Sequence, residues 1–238
     1  MNKNKITAKD KKYLKEIIKI QIEKNGDSCD LNCIDTSLIT DMSYLFALSQ
    51  FNGDISRWDT SNVEDMTSMF FKSKFNNDIS DWNTSNVKNM EAMFAHSQFN
   101  NCISNWNISS LYNMRFMFAH SQFNSDISQW NVSKVTNMSH MFTASQFNGN
   151  ISQWDISNVN YMKEMFYNSQ FNGDLSDWKP LSTVFTNLIF NNCMAPVPYW
   201  AKIEDMQERN KTIDVYHTQK LLKNLINDDN LIQKNFKL

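Results

Sequence analysis

Two consecutive stretches, FNGDISRWDTSNVEDMTSMFFKSK at residues 51–74 and FNNDISDWNTSNVKNMEAMFAHSQ at residues 75–98, share most of their residues in register. The same pattern continues through residue 170, so that five copies of 24 residues follow one another without insertion or deletion. A partial copy precedes them at residues 34–46, and a weaker one follows at residues 171–190. A constant period indicates that the copies stack in register as units of one repetitive fold.

The repeat accounts for an unusual composition of 17 Phe, 14 Met and 7 Trp among 238 residues. Its consensus is F-N-x-D-I-S-x-W-x-x-S-x-V-x-x-M-x-x-M-F-x-x-S-x. Because the apolar positions recur identically in the copies, we predict that they form a continuous core. A cofactor site would instead occur once in the chain, so we do not interpret these residues as one. Six tryptophans hold one repeat position: Trp58, Trp82, Trp106, Trp130, Trp154 and Trp178.

Composition excludes several classes of function. The 4 glycines stand far apart, whereas glycine-rich phosphate loops need them clustered within one turn. The formal net charge of -2 gives no basic footprint for nucleic acid or an anionic membrane. We therefore expect neither a nucleotide-binding enzyme nor a nucleic-acid-binding protein.

Each copy combines two local patterns. Val63, Met66, Met69 and Phe70 fall on one helical face, with Ser61 placed to cap a helix there. Residues 51–56 have the apolar and small polar residues of a short strand. The 24-residue period also lies within the range of about 20 to 29 residues of leucine-rich-type repeats. The sequence therefore predicts an α/β solenoid of strand, turn and short-helix coils.

The run V-x-x-M-x-x-M-F-x-x-S-x-F-N-x-D-I-S-x-W resembles the repeat of BspA-like leucine-rich-repeat surface proteins, in the variant of mycoplasma lipoproteins. The resemblance covers residues 34–190, about two thirds of the chain. It implies a right-handed leucine-rich-repeat-like stack. It also implies a role in protein recognition, such as adhesion at a cell surface.

The two ends of the chain carry patterns suited to capping a solenoid, whose ends are otherwise open. Thr7 and Asp10 predict a helix start, and an apolar face then runs through Leu14 and Ile18 to about Lys24. Beyond the prolines at positions 196 and 198, helical stretches are predicted at residues 202–209 and 217–226. We predict an N-terminal helical cap at residues 1–27, a solenoid at 28–192 and a C-terminal helical cap at 193–238.

Four acidic residues recur before the repeat isoleucine or leucine, and stacked carboxylates of this kind can bind calcium. Cys102 and Asn150 interrupt the row in the third and fifth copies. We therefore predict that these carboxylates accept backbone hydrogen bonds in turns, and we predict no metal site. The four residues are Asp54, Asp78, Asp126 and Asp174.

The remaining reactive residues form no recognisable site. Cys29 and Cys33 have a spacing that zinc uses only with two further ligands, and reduced thiols are the favoured interpretation, although the sequence leaves their pairing open. His96 and His120 hold equivalent positions and are expected side by side on the surface. No acidic or nucleophilic partner recurs near them, so we predict no enzymatic activity and no cofactor.

Positions that vary among the copies and flank the repeat tryptophan form two polar stripes, which we predict as partner-binding surfaces. Their amide side chains can both donate and accept hydrogen bonds. The first stripe precedes the tryptophan and contains Arg57, Asp81, Asn105, Gln129 and Gln153. The second stripe follows it and contains Asp59, Asn83, Asn107, Asn131 and Asp155.

Two functions remain open at this point. One is a non-enzymatic protein-interaction module with a protein partner of unknown identity. The other is a structural or self-associating scaffold without a foreign ligand. The sequence shows no signal-peptide core and no membrane-spanning run, which favours the cytoplasm, whereas the family resemblance implies the cell surface.

Overall fold

A computed structural model describes residues 5–184, 186 and 188–235, with side chains described as far as residue 227. Regular elements lie near the two ends: β1 (Ile6–Thr7), α1 (Lys11–Asn25) and β2 (Ile34–Asp35), then a 3-10 helix (Tyr199–Lys202) and α2 (Met206–Asn235). The described residues between Asp35 and Tyr199 form turns, with no longer helix or strand.

The repeats form coils that are joined to their neighbours by backbone hydrogen bonds. In the first coil the N–H groups of residues 42, 44, 46 and 48 donate to the carbonyls of residues 65, 67, 69 and 71, at 2.7 to 3.0 Å. We call residues 41–48 and their equivalents the ladder side of the coil. Single parallel bridges link equivalent residues along it: Asp41, Asp65, Asn89, Asn113, Asn137 and Tyr161.

The coil has turns where the sequence predicts a short helix over residues 63–70. The N–H groups of Met66, Ser68 and Phe70 donate to the next coil, so they cannot make the i to i−4 bonds of a helix. Ser68 also has φ of 53°, in the left-handed region. Ser61 caps no helix, because its N–H and hydroxyl both donate to the carboxylate of Asp59.

The predicted strand over residues 51–56 is likewise replaced by irregular backbone. The N–H of Asn76 donates to the side-chain carbonyl of Asn52 at 2.8 Å, and the side-chain amide of Asn77 donates to the Asn52 backbone carbonyl. On this side of the coil, asparagine side chains therefore make some of the hydrogen bonds between coils that backbone groups make between strands of a sheet. The Asn-to-Asn bond links Asn52, Asn76, Asn100, Asn124, Asn148 and Asn172.

The interior consists of parallel aromatic rows, which confirms the predicted core. The rings of Trp58 and Trp82 are 6.5 Å apart at 2°, and Phe70 stacks on Phe75 at 4.4 Å. Each repeat indole also donates a hydrogen bond from Nε1 to a backbone carbonyl of the preceding coil. Trp82, for example, donates to the carbonyl of Ile55 at 3.1 Å. Each of these buried side chains contributes about 2 to 3 kcal/mol to stability.

Two positions on the ladder side of every coil have a left-handed backbone without glycine. Their φ values lie between 50° and 63°. For residues with a Cβ this conformation costs on the order of 1 kcal/mol each, which only surrounding structure can offset. One row is Tyr44, Ser68, Ala92, Phe116, His140, Glu164 and Leu188; the other is Leu48, Lys72, His96, His120, Ala144, Asn168 and Asn192.

The N-terminal end is closed by β1 and α1. Asp10 is the N-cap of α1, and its carboxylate accepts the N–H of Tyr13 at 2.8 Å. Thr7, which the sequence also placed at the helix start, lies instead in β1, where it pairs with Asp35 of β2. The strand begins the parallel pairing one layer before the first coil.

The packing of α1 on the first coil is apolar. Leu14, Ile17 and Ile18 are buried against the core, as the helical pattern predicts. At the edge of this contact the ammonium group of Lys11 lies 2.8 Å from the carboxylate of Asp41. The first cap thus combines an apolar face with one ion pair.

The C-terminal end is closed by the 3-10 helix and α2. One helix replaces the two predicted stretches, because the chain from residue 206 onward contains neither Gly nor Pro. The indole of Trp200 donates to the carbonyl of Leu175 at 3.1 Å and so continues the tryptophan row. None of the described helices is long and apolar enough to cross a membrane.

The domain boundaries stay predictions. The described caps reach from residue 5 and to residue 235, while residues 1–4 and 236–238 of the predicted caps lie outside the described residues.

Candidate binding surface

The first stripe projects from the coils beside the buried tryptophans. Residues 56 and 57 form a turn that the N–H of Trp58 closes on the carbonyl of Ile55 at 3.2 Å, and this turn places residue 57 on the outside of the coil. Asp81 and Asn105 make no side-chain hydrogen bond to any described residue, while the guanidinium of Arg57 lies 3.9 Å from Asp30. All five members are exposed: Arg57, Asp81, Asn105, Gln129 and Gln153.

The amides of the first stripe are held only loosely. The Nε2 atoms of Gln129 and Gln153 lie 3.3 and 3.2 Å from the hydroxyls of the serines that precede them. Such weak contacts at an exposed position leave most of each amide's hydrogen-bonding capacity unused. The stripe can therefore offer donors and acceptors to a partner without breaking the fold.

The second stripe is exposed but has a structural role that the sequence did not indicate. Asp59 accepts the N–H of Ser61 at 3.0 Å, and Asn83 accepts that of Ser85 at 3.1 Å. One side-chain oxygen of each member is thus used in a turn. The same bond recurs at Asp59, Asn83, Asn107, Asn131 and Asp155.

The acidic row before the repeat isoleucine or leucine also caps turns, as predicted. Asp54 accepts the N–H of Ser56 at 2.9 Å, and this bond is the main reason that the pKa of Asp54 is lowered. Cys102 keeps a weaker version, with its Sγ 3.2 Å from the hydroxyl of Ser104. The equivalent carboxylate bonds occur at Asp78, Asp126 and Asp174.

The cysteines are free and bring no metal ligands together. Cys29 and Cys33 are both partly buried, and burial is the main cause that raises the pKa of the Cys29 thiol. Across residues 5–184, 186 and 188–227, no three side chains of His, Cys, Asp or Glu are grouped closely enough to hold a metal ion.

A histidine cluster occupies the outer face of the ladder side. The rings of His96 and His120 stack at 4.4 Å and 5°, which confirms that they lie side by side. His140 stacks in the same way on Phe116 at 4.4 Å, and the guanidinium of Arg115 lies 4.7 Å above that phenyl ring. The sequence analysis missed the pair of Phe116 and His140 because it compared histidines only. These two residues are 24 positions apart, so a search for aromatic residues at the repeat spacing would have found them.

Burial lowers the pKa of both His96 and His140. The charges of His120 and Lys72 lower the pKa of His96 further, whereas Glu164 opposes the effect at His140. At pH 7 the neutral form of both imidazoles therefore predominates.

A family model described as "Mycoplasma protein of unknown function, DUF285" matches residues 19–122 and, in an overlapping segment, residues 95–200. The two matches together include the five complete repeats and extend over well more than half of the chain. No curated protein and no solved structure matches the chain.

Proposed function

The chain belongs to the DUF285 family of Mycoplasma proteins, and from that premise we propose that it is a non-enzymatic protein-interaction module. It acts as a surface or adhesion-type repeat protein of the BspA-like kind and binds a protein partner along the polar stripes. The first stripe makes the main contacts, and the second stripe contributes the side-chain atoms that its turns do not use.

The proposed scaffold is a right-handed, leucine-rich-repeat-like solenoid. Its support is the row of parallel bridges from Asp41 to Tyr161 and the matching row of buried indoles. In such a scaffold each coil contacts only its neighbours, so the surface positions of successive coils form an extended line. A partner with a similarly extended surface fits that line.

One observation carries the proposal. The first stripe places different polar side chains at one repeat position, on a backbone fixed by indoles that are only 4% exposed from Trp58 to Trp154. Because the backbone is fixed before binding, association orders only the side chains, which lowers the entropic cost of recognition. Variation on a constant scaffold is the arrangement expected of a surface that selects a partner.

The composition of the first stripe supports a binding role over catalysis. It offers a guanidinium, a carboxylate and three amides, which donate and accept hydrogen bonds. It has no histidine to transfer a proton near neutral pH and no cysteine or serine to act as a nucleophile. Hydrogen bonding to polar groups of a protein partner uses all five members.

The test compares two pairs of glutamines in the same copies. Gln129→Ala with Gln153→Ala alters the first stripe, whereas Gln146→Ala with Gln170→Ala removes exposed glutamines beside the repeat phenylalanines. Immobilised protein is incubated with surface proteins of a host cell, and the partner captured by the unmodified chain is then titrated against each variant.

We expect the first pair to weaken binding about ten-fold, equivalent to roughly 1.4 kcal/mol, and the control pair to leave it unchanged. Arg57→Ala with Asp81→Ala should weaken it again through a separate part of the same stripe. Equal affinities for the stripe and control variants would refute this binding surface.

A further inference from the structure

The outer face of the ladder side carries aromatic rings that the polar stripes do not use. Two stacks lie there, His96 on His120 and Phe116 on His140, each with ring centroids 4.4 Å apart. The rings of the first stack are exposed and those of the second are half-buried. Aromatic side chains are enriched at the centres of protein interfaces, whereas the stripes contain none. This face therefore offers a partner a different kind of contact.

The two stacks are offset by one coil, because the second lies four residues earlier in each coil and one coil later along the chain. Two positions of this three-coil block hold no ring, and both are alanines, Ala92 and Ala144. Ala144 follows His120 in its row, since the N–H of His120 donates to the carbonyl of residue 143 at 2.8 Å. Ala92 precedes Phe116 in the other row. Each alanine thus stands where a further ring would extend a stack.

Three of the four stack ends are covered by side chains of the chain itself. The guanidinium of Arg115 lies 4.7 Å over the ring of Phe116. The carboxylate of Glu164 lies 3.6 Å from Nδ1 of the imidazole at the other end of that stack. Phe71 meets the ring of His96 edge-on, with centroids 5.8 Å apart at 84°. Exposed ring ends on this face are therefore places where a further side chain packs.

The fourth end is the second face of His120, and it is open. Among the described residues, no aromatic ring other than that of His96 stacks on His120. Asn168, the residue beyond Ala144 in the row, is exposed. Coils spaced like paired strands leave about 9 to 10 Å between the levels of His120 and Asn168, with only the methyl group of Ala144 between them. A ring stacked at the 4.4 Å spacing of the existing stack fits this gap, which we call the His120 slot.

The charges beside the slot are balanced. Nη1 of Arg115 lies 3.3 Å from the carboxylate of Glu91, and Nζ of Lys163 lies 3.4 Å from that of Glu164. Lys72 lies beyond the opposite end of the His96 stack. A phosphate or carboxylate therefore gains little attraction at the slot, whereas an uncharged ring gains both stacking and apolar burial.

We propose that the His120 slot binds an aromatic side chain of a protein partner, tryptophan or tyrosine, which stacks on the free face of His120 above Ala144. The bound ring continues the row that His96 and His120 begin. A rigid aromatic anchor of this kind adds to the hydrogen bonds of the polar stripes. The slot lies in another segment of the coil and rests on the proposed function only in that the ring belongs to a protein.

The test uses small probes that supply a ring without a partner. N-acetyl-tryptophanamide, N-acetyl-leucinamide and adenosine monophosphate are titrated into the protein at pH 7, and carbon–proton NMR spectra follow the imidazole signals. A stacked indole shifts the signals of His120 upfield through its ring current, while His217 in α2 is the internal reference. Because the probes need no stripe contact, the result is independent of the glutamine variants and their captured partner.

Two matched variants locate the bound probe. Ala144→Phe fills the slot with a ring of the chain itself, and Ala92→Phe adds the same ring at the corner where Arg115 covers the stack. The two alanines have φ of 50° and 52°, and Phe116 has φ of 56° in the same class of position. Phenylalanine therefore suits the backbone at both sites. Ala144→Leu replaces Ala144→Phe if its melting curve shows loss of folding, since Leu48 has this conformation at the equivalent position.

We expect the indole probe to shift the His120 signals saturably, with a Kd on the order of millimolar. The leucine probe and adenosine monophosphate should bind at least about ten-fold more weakly, because neither combines a ring with the absence of charge. Ala144→Phe should weaken binding of the indole at least about ten-fold, and Ala92→Phe should leave it unchanged. Unmoved His120 signals, equal binding of either other probe, or an Ala144→Phe variant that binds the indole normally would each overturn the proposal.

Discussion

The two caps close the same kind of coil with different chemistry. At the first end Leu14, Ile17 and Ile18 cover the core, and Lys11 pairs with Asp41. At the last end Arg209 is fully buried and donates to the carbonyls of Ile203 and Thr183, with no carboxylate within ion-pair distance among the described residues.

The second cap also contains polar atoms that lack partners. Within the described residues, no hydrogen bond reaches Tyr199 Oη, Arg209 Nε, Asn210 Oδ1 or His217 Nε2. Each buried polar group left in this state costs about 1 to 3 kcal/mol. The comparison shows two kinds of cap, one that buries apolar side chains alone and one that buries polar groups beside apolar Trp200 and Ile213. We expect the cap with buried polar groups to be the weaker one.

The largest expected effect is that of Trp200→Ala on the second cap. It removes a fully buried indole and its bond to Leu175, which should reduce the free energy of cap unfolding by about 3 to 5 kcal/mol. Trp106→Ala is the matched change in the middle of the stack. Urea unfolding followed with hydrogen exchange should show loss of α2 protection alone for the first variant and of the coils for the second. Unchanged α2 protection would contradict the anchoring role of Trp200.

The next effect requires no mutation. If the polar cap is weaker, backbone amides of α2 near Ile213 should exchange at least about ten-fold faster than those of α1 near Ile18, after correction for intrinsic rates. Both residues are buried, so their side-chain exposure is matched. Native-state hydrogen exchange with mass spectrometry measures the ratio, and slower exchange in α2 would reverse the order proposed for the caps.

A smaller effect follows from pH. Burial and then the charge of Lys179 lower the pKa of His217 below its ordinary value of 6.5, against the opposing charges of Asp177 and Asp214. The opened cap therefore binds a proton more readily than the closed cap, and closure weakens as pH falls through about 6.5.

The comparison with the first cap sharpens this prediction, since residues 1–27 contain no histidine. Lowering pH from about 7.5 to 5.5 should speed the corrected exchange of α2 more than that of α1. His217→Gln should remove most of the difference. A pH dependence that survives this substitution would assign the effect to another group.

The smallest effect concerns the ion pair of the first cap. Burial acts to raise the pKa of Asp41, but hydrogen bonds from Lys11 and Ser43 outweigh it and lower the pKa below 3.8. Because both partners are partly exposed, Lys11→Met should cost less than about 1 kcal/mol. The stabilisation is present above pH 3.8 and is lost as pH falls through the lowered pKa.

Thermal melting of Lys11→Met at pH 6 and pH 3 checks this prediction. The difference in melting temperature between the variant and the unmodified chain should be smaller at pH 3 than at pH 6. Lys15→Met is the matched control, since Lys15 is exposed on the same helix and makes no ion pair with a described residue. A difference at pH 3 that is as large as at pH 6 would show that Lys11 acts through packing.

The sequence predicted the features that depend on which side chain occupies a given position of every repeat. The spacing of Trp106 and its equivalents identified the core, and the carboxylate of Asp54 was correctly expected to cap a turn. The exposure of the first stripe agrees with the expectation that polar positions that vary among the copies face solvent. These inferences need only burial and hydrogen-bonding preference, which each residue type carries with it.

Backbone conformation was harder to predict. Met66, Met69 and Phe70 have helical spacing, but a turn whose N–H groups point to the next coil buries the same residues. Ala92 and Ala144 adopt left-handed φ, although alanine favours the helix and glycine is the usual sign of that region. The hydrogen bonds between coils are donated by main-chain N–H groups. Side-chain patterns in the sequence therefore could not predict them.

The left-handed positions have a consequence for how the chain folds. A single coil would hold two unfavourable residues and leave its ladder N–H groups unpaired, so no coil is stable by itself. Folding must then begin with a nucleus of at least two adjacent coils and propagate outward one coil at a time. Because the interior coils are nearly equivalent, that nucleus can form at several places along the chain, and one defective coil interrupts propagation without preventing nucleation elsewhere.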